Sequence, residues 1–168
     1  MTTQTVTQND NDAAERVVPP VRLPVDELVP HINKAMNALD AAARKVSLEA
    51  PLLELVRLRA SQLNGCAYCI DMHTKDARAI GETEQRLYAL PAWAETPYFT
   101  ARERAALAFT ESVTLVAGEH VPARDYEAVA AEFSPAEVAA LVSLIVTINA
   151  WNAISVATRA WEPGTYQP

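Results

Sequence analysis

The stretch "LLELVRLRASQLNGCAYCIDMHTKDAR", Leu52 to Arg78, decides how the chain reads. It divides at Asn64-Gly65, a pair of residues that ends one helix before the next begins. On a wheel of about 100° per residue, the second half places Cys66, Cys69 and His73 within one arc of about 60°, with Ile70, Ala77 and Ile80. Asp71, Lys75 and Arg78 take the opposite side. Both thiols and the imidazole therefore lie on the face expected to be covered. His73 follows Cys69 by one turn, which makes their side chains neighbours. Unpaired backbone N–H groups at a helix start favour a thiolate over a thiol. In the first half, Glu54 falls opposite the main apolar face, beside Arg57 and Ser61. Periodicity alone reads Glu54 as a solvated acid.

Outward from this stretch the chain continues as helices. Glycine is scarce, alanine abundant, and no segment alternates with a period of two. "TARE" at Thr100–Glu103 and "SPAE" at Ser134–Glu137 both fit the capping box, in which the Thr or Ser oxygen takes an exposed N–H and the Glu reaches back. Pro135 sits where a first-turn proline is tolerated. Gly81 and Gly118 each follow a periodic segment, as C-terminal caps do. The predicted helices are 25–45, 49–63, 66–80, 84–90, 101–117, 123–131 and 135–159, an all-α domain without internal repeats. "VAALVSLIVTINAW", Val138–Trp151, is apolar nearly all round, so its helix is expected to be buried on more than one side. It reads as too short to span a membrane, and as a core helix that also meets a subunit interface.

A chain of 168 residues suits one domain with a real core. A net charge of −7, with no Lys/Arg cluster, argues against a nucleic-acid partner. The first twenty residues are polar and lack the apolar centre of a signal peptide; residues 1–20 read as a flexible tail and 21–168 as the domain. No apolar run reaches the roughly 18 residues of a membrane span. These readings predict a soluble cytoplasmic protein, in a compartment where a stable structural disulfide would be unusual.

Cys66 and Cys69 are the only cysteines. Inert buried thiols would be the default at scattered positions, but these stand three apart at a helix start. A zinc site needs about four ligands, and the two cysteines with His73 supply three. His31 and His120 are distant and read as surface or helix-end residues, so no metal is expected. A thioredoxin-like domain needs a βαβ context, which is absent from the pattern. A redox dithiol on a helical scaffold is the reading the residues favour.

The full pattern is Glu54, eleven residues, Cys66-Ala67-Tyr68-Cys69, three residues, His73. It resembles the alkylhydroperoxidase D-like branch of the carboxymuconolactone decarboxylase superfamily. "TARERAALAFTESVT" and "INAWNAISVATR" are similar to that group's downstream segments, so the resemblance spans about residues 22–161. It implies an all-helical bundle, a homo-oligomer (trimer or hexamer), and reduction of peroxides through the dithiol without a further cofactor. Residue by residue, it makes Cys69 the peroxidatic thiol, Cys66 the resolving thiol, and Glu54 and His73 the proton relay. Cys66, nearer the helix end, is expected nearer solvent, where a small thiol protein or lipoyl-type donor would meet it. One position departs from the pattern: Tyr68 stands where the archetypal peroxidase carries a histidine. Two other classes stay open: a decarboxylase or lactone-ring enzyme, whose members generally lack this C-x-x-C, and a helical oligomer that only senses oxidation. Trp93, Trp151, Trp161 and Phe109 read as packing residues, Asn152 and Arg159 as structural contacts, and Glu103 and Glu137 as caps.

Overall fold

The structure is a computed structural model that describes residues 17–45 and 48–168. Most of the predicted tail, residues 1–16, lies outside the described residues. Among the described residues the chain is helical without a strand: α1 (Val25–Leu28), α2 (Pro30–Ala43), α3 (Ala50–Leu63), α4 (Ala67–Ala79), α5 (Glu84–Ala89), α6 (Ala101–Thr114), α7 (Val116–Glu119), α8 (Ala123–Glu132) and α9 (Pro135–Thr158). A 3₁₀ segment, Leu90–Glu95, follows α5.

The helix starts follow from local chemistry. Thr100 and Ser134 each close a complete capping box with Glu103 and Glu137. Pro135 opens α9 and Pro30 opens α2, where a missing N–H is no loss. Pro30 also splits the predicted helix 25–45: Val29 before it leaves the helical region (φ −134°, ψ 55°), and α1 ends there. Gly65 and Gly81 take positive φ, +65° and +96°, as the ends of α3 and α4 require. Gly118 does not cap the predicted helix 101–117. That helix stops at Thr114, Gly118 lies within the short α7, and His120 carries the positive φ (58°).

Helix α3 is the centre of the domain, packed against α4, α6 and α9. It feeds two cores from two faces. Leu52, Leu53 and Val56 join Phe109, Val129, Phe133, Leu141, Leu144 and Ile145 from α6, α8, α9 and the chain between the last two. Leu55 and Leu58 join Ala77, Leu87, Leu90, Phe99 and Leu107. Each of these Leu, Ile, Val and Phe side chains, taken fully out of water, contributes about 1.5–3 kcal/mol.

Helix α9 corrects the sequence reading in one respect. At 24 residues it is long and apolar enough to cross a membrane by length and composition, not too short. Its place in the fold is that of a core helix. Leu141, Leu144, Ile145 and Ile148 are buried, and Asn152 donates to Ser61 Oγ at 3.0 Å. Val142, Val146 and Val156 face outward and are exposed.

Candidate active site

Two faces of α3 go to the cores, so its polar stripe is left to face α4, α2 and α9. Glu54, Arg57 and Ser61 are all buried there. Glu54 is 6 % exposed, which corrects the expectation of a solvated acid. A wheel records polarity and not what covers it. Here the cover is α4 itself, which brings His73 onto the carboxylate with Nδ1 2.8 Å from Oε2. Arg57 Nη1 donates to the other oxygen, Oε1, at 2.7 Å. Burial alone would raise the Glu54 carboxyl. The His73 hydrogen bond and charge, with Arg57, outweigh that and hold it below its ordinary value. A carboxylate so held accepts, so Nδ1 of His73 donates to it and Nε2 is the ring nitrogen this bond leaves unused. Nε2 is buried without a hydrogen-bond partner among the described residues.

The lowered Glu54 value carries a sign. Its ionic contacts stabilise the fold above the usual carboxylate value of 4.5 and are lost as pH falls through the lowered folded value. The difference in urea midpoint between wild type and Glu54→Gln should therefore be full near neutrality and shrink steadily in acid. A difference that does not change between pH 7 and the acid limb would contradict this.

Cys66 is the N-cap of α4, and its Sγ accepts from Cys69 N at 3.3 Å. The two sulfurs are joined as a disulfide, with the Cα atoms 5.3 Å apart. The expected difference in exposure is absent: Cys66 is 1 % and Cys69 2 % exposed. The turn at Asn64-Gly65, just before Cys66, is tied to α9, since Asn64 donates to Asn149 and Asn152. Cys69, not Cys66, lines a cavity of about 260 Å³.

His73, Met72, Tyr68, Trp151 and Trp161 line the same cavity, opposite Asn33, Asn37 and Asp40 of α2 and its C-cap Arg44. Trp151 and Trp161 thus do more than the packing expected of them, and the α2 residues were not anticipated. Their spacing, 33, 37, 40 and 44, marks one helical face, but a polar stripe ordinarily reads as solvated. Burial, then the nearby Asp71 carboxylate, raises the Tyr68 phenol above its ordinary value, so it keeps its proton at neutral pH. Asn152 makes the structural contact expected of it; Arg159 is exposed and ends α9 in the left-handed conformation (φ 51°). His31 and His120 are exposed.

Glu54, His73 and Asp76 offer ligand atoms within 4.8 Å of one another, as a metal site would require. Protein groups already engage all three. Arg57 and His73 share the Glu54 carboxylate, and the Tyr166 hydroxyl donates to Asp76 Oδ1 at 2.7 Å. A guanidinium on the carboxylate opposes a second cation there.

The fold and this cluster define an all-helical dithiol protein with an imidazole–carboxylate pair beside the thiols. Residues 30–112 match the carboxymuconolactone decarboxylase family. The chain is 42 % identical over 131 residues to the uncharacterized protein YdfG of Bacillus subtilis, which spans 78 % of this chain and 89 % of that one. It is also similar to a protein of unknown function from Agrobacterium tumefaciens, proposed as an antioxidant defence protein AhpD. That likeness has 36 % identity and a TM-score of 0.83, covering 86 % of this chain and 99 % of the other. The alkylhydroperoxidase AhpD core of Ralstonia eutropha shares the fold at 20 % identity, with a TM-score of 0.72 over 83 % of this chain and 75 % of that one. The chain belongs to the carboxymuconolactone decarboxylase family, with an AhpD-like fold.

Proposed function

We infer that this protein is a cytoplasmic thiol-dependent peroxidase that reduces organic hydroperoxides through Cys66 and Cys69. The observation that carries the reading is the dithiol at the start of α4, with Cys69 facing the cavity and His73, held by buried Glu54, one turn on. In the reduced protein, His73 Nε2 takes the Cys69 proton, and the helix start favours the thiolate. The thiolate attacks the terminal peroxide oxygen. The O–O bond breaks, the alkoxide leaves as alcohol with the proton returned by His73, and Cys69 becomes a sulfenic acid. Cys66 then attacks that sulfur, water leaves, and the disulfide forms. A dithiol donor returns two electrons and two protons. Glu54 fixes the imidazole tautomer and balances its charge during the transfer.

The test is turnover of cumene hydroperoxide and hydrogen peroxide with several dithiol donors, run beside the Cys66→Ser/Cys69→Ser double variant. Consumption that depends on both donor and cysteines supports the reading. Turnover equal in the double variant would overturn it. Disulfide cycling without peroxide turnover would favour the redox-sensing oligomer.

The protein works, in this reading, as a homo-oligomer, a trimer or a dimer of trimers. The support is apolar surface that a monomer seldom leaves bare: Val142, Val146 and Val156 on α9, and Leu28, Ile32 and Leu39 on α1 and α2. Light scattering should give a multiple of the 18.3 kDa chain at micromolar concentration. A species of one chain mass throughout that range would remove this part of the reading.

A further inference from the structure

Beyond α9 the chain turns at Arg159, in the left-handed conformation, and runs back along the outer face of α4. Residues 161–166 are fastened there at several points. Gly164 N donates to Asp71 Oδ2 at 3.0 Å, Lys75 Nζ to Tyr166 O at 3.0 Å, and Tyr166 Oη to Asp76 Oδ1. The polar side of α4 thus holds the C-terminal strap, while its other side holds the cysteines. Trp161, at the head of the strap, donates its indole N–H to Asp26 Oδ2 at 2.8 Å. Asp26 is itself held by Asn33 Nδ2 at 2.6 Å. The Trp161 ring lies 5.8 Å from Tyr68 and 5.6 Å, edge-on, from Trp151. A ring fixed by a hydrogen bond and two aromatic neighbours is a wall, not a loose side chain.

This wall closes one side of the cavity onto which Cys69 opens. The space of about 260 Å³ far exceeds what hydrogen peroxide fills, a molecule little larger than the water that takes roughly 30 Å³ of the liquid. Three aromatic rings and the Met72 thioether offer a planar apolar group edge and face contacts. The opposite wall carries the Asn33 and Asn37 amides and the Asp40–Arg44 ion pair.

We propose that Trp161, carried by the C-terminal strap, is the specificity-determining residue of the cavity and fits it to hydroperoxides with an aryl or similar planar apolar substituent. The proposal rests on the thiol-peroxidase reading for its substrate, though not for the wall itself. Trp161 acts by shaping the cavity and takes no proton or electron. Aryl contact with the ring orders the substrate with its terminal peroxide oxygen toward Cys69.

Two measurements on the full-length chain test it. The first is kcat/KM with cumene hydroperoxide and with hydrogen peroxide, donor fixed as dithiothreitol. Trp161→Leu, apolar but not aromatic, should shift the ratio on the order of tenfold toward hydrogen peroxide, mainly through the cumene hydroperoxide KM. Trp161→Phe should restore most of the ratio. An unchanged ratio in Trp161→Leu, with circular dichroism as in wild type, would overturn the proposal. The second measurement needs no peroxidase activity. In reduced Cys66→Ser protein, Cys69 is alkylated with N-phenylmaleimide and with iodoacetamide. Adding Trp161→Leu should lower the aryl reagent's advantage over the small one. An equal change for both reagents would make Trp161 a structural residue only. If wild type consumes neither peroxide, the peroxidase reading fails and the alkylation ratio alone decides on the wall.

Discussion

Cys69→Ser should abolish even the first, single-turnover consumption of peroxide, whereas Cys66→Ser should keep that event and then stop. The two sulfurs are equally buried, so exposure does not separate their roles. In the peroxidase reading position does: Cys69 lines the cavity and precedes His73 by one turn. Cys66 sits at the N-cap, where its side chain accepts the Cys69 amide. Serine is a good N-cap residue, so Cys66→Ser should fold and retain the start of α4. Trapping with a sulfenic-acid reagent followed by mass spectrometry should then find a sulfenic acid on Cys69. A sulfenic acid trapped only on Cys66, in Cys69→Ser, would reverse the assignment. Wild-type turnover in both single variants would mean that the dithiol is not the active site.

The second large effect concerns the proton. Glu54→Gln and His73→Gln should slow the first, thiol-oxidising step by about 10²–10⁴-fold, the range of a positioned general acid–base group. The two variants differ in their side effects. Glu54→Gln leaves the buried Arg57 guanidinium without its nearest carboxylate, and removing one partner of a buried pair costs about 3–5 kcal/mol. His73→Gln keeps the Arg57–Glu54 pair and should sit closer to wild type in stability. Stopped-flow measurement of peroxide reduction by the pre-reduced protein, beside urea melts, separates loss of catalysis from loss of fold. A wild-type rate in the folded His73→Gln protein would remove the imidazole from the reaction.

Much of the architecture is legible in the residues because helix ends are local. Thr100, Ser134, Pro135 and Gly65 each act on their own backbone, and the helices begin or end beside them. The arc of Cys66, Cys69 and His73 is equally local, one face of one helix. Glu54 is different. Its burial depends on α3 giving two faces to two cores and having α4 laid over the third, a fact of packing that no wheel of α3 contains. The α2 wall at Asn33, Asn37, Asp40 and Arg44 escapes for the same reason. The strap at 161–166 has no periodicity at all; its contacts to Asp71, Lys75 and Asp76 are set by where α9 happens to end.

The burial of the disulfide also bears on how a reductant would reach it. Both sulfurs lie below the surface, and Cys69 is approached through a cavity walled by aromatic rings and α2 amides. Thiol–disulfide exchange needs the attacking thiolate to meet a sulfur directly. On the peroxidase reading, a donor whose thiol lies flat on a broad protein surface would be held off, while a dithiol at the tip of a slender arm would pass in. On the peroxidase reading, the site would answer to the shape of its reductant as well as to its potential.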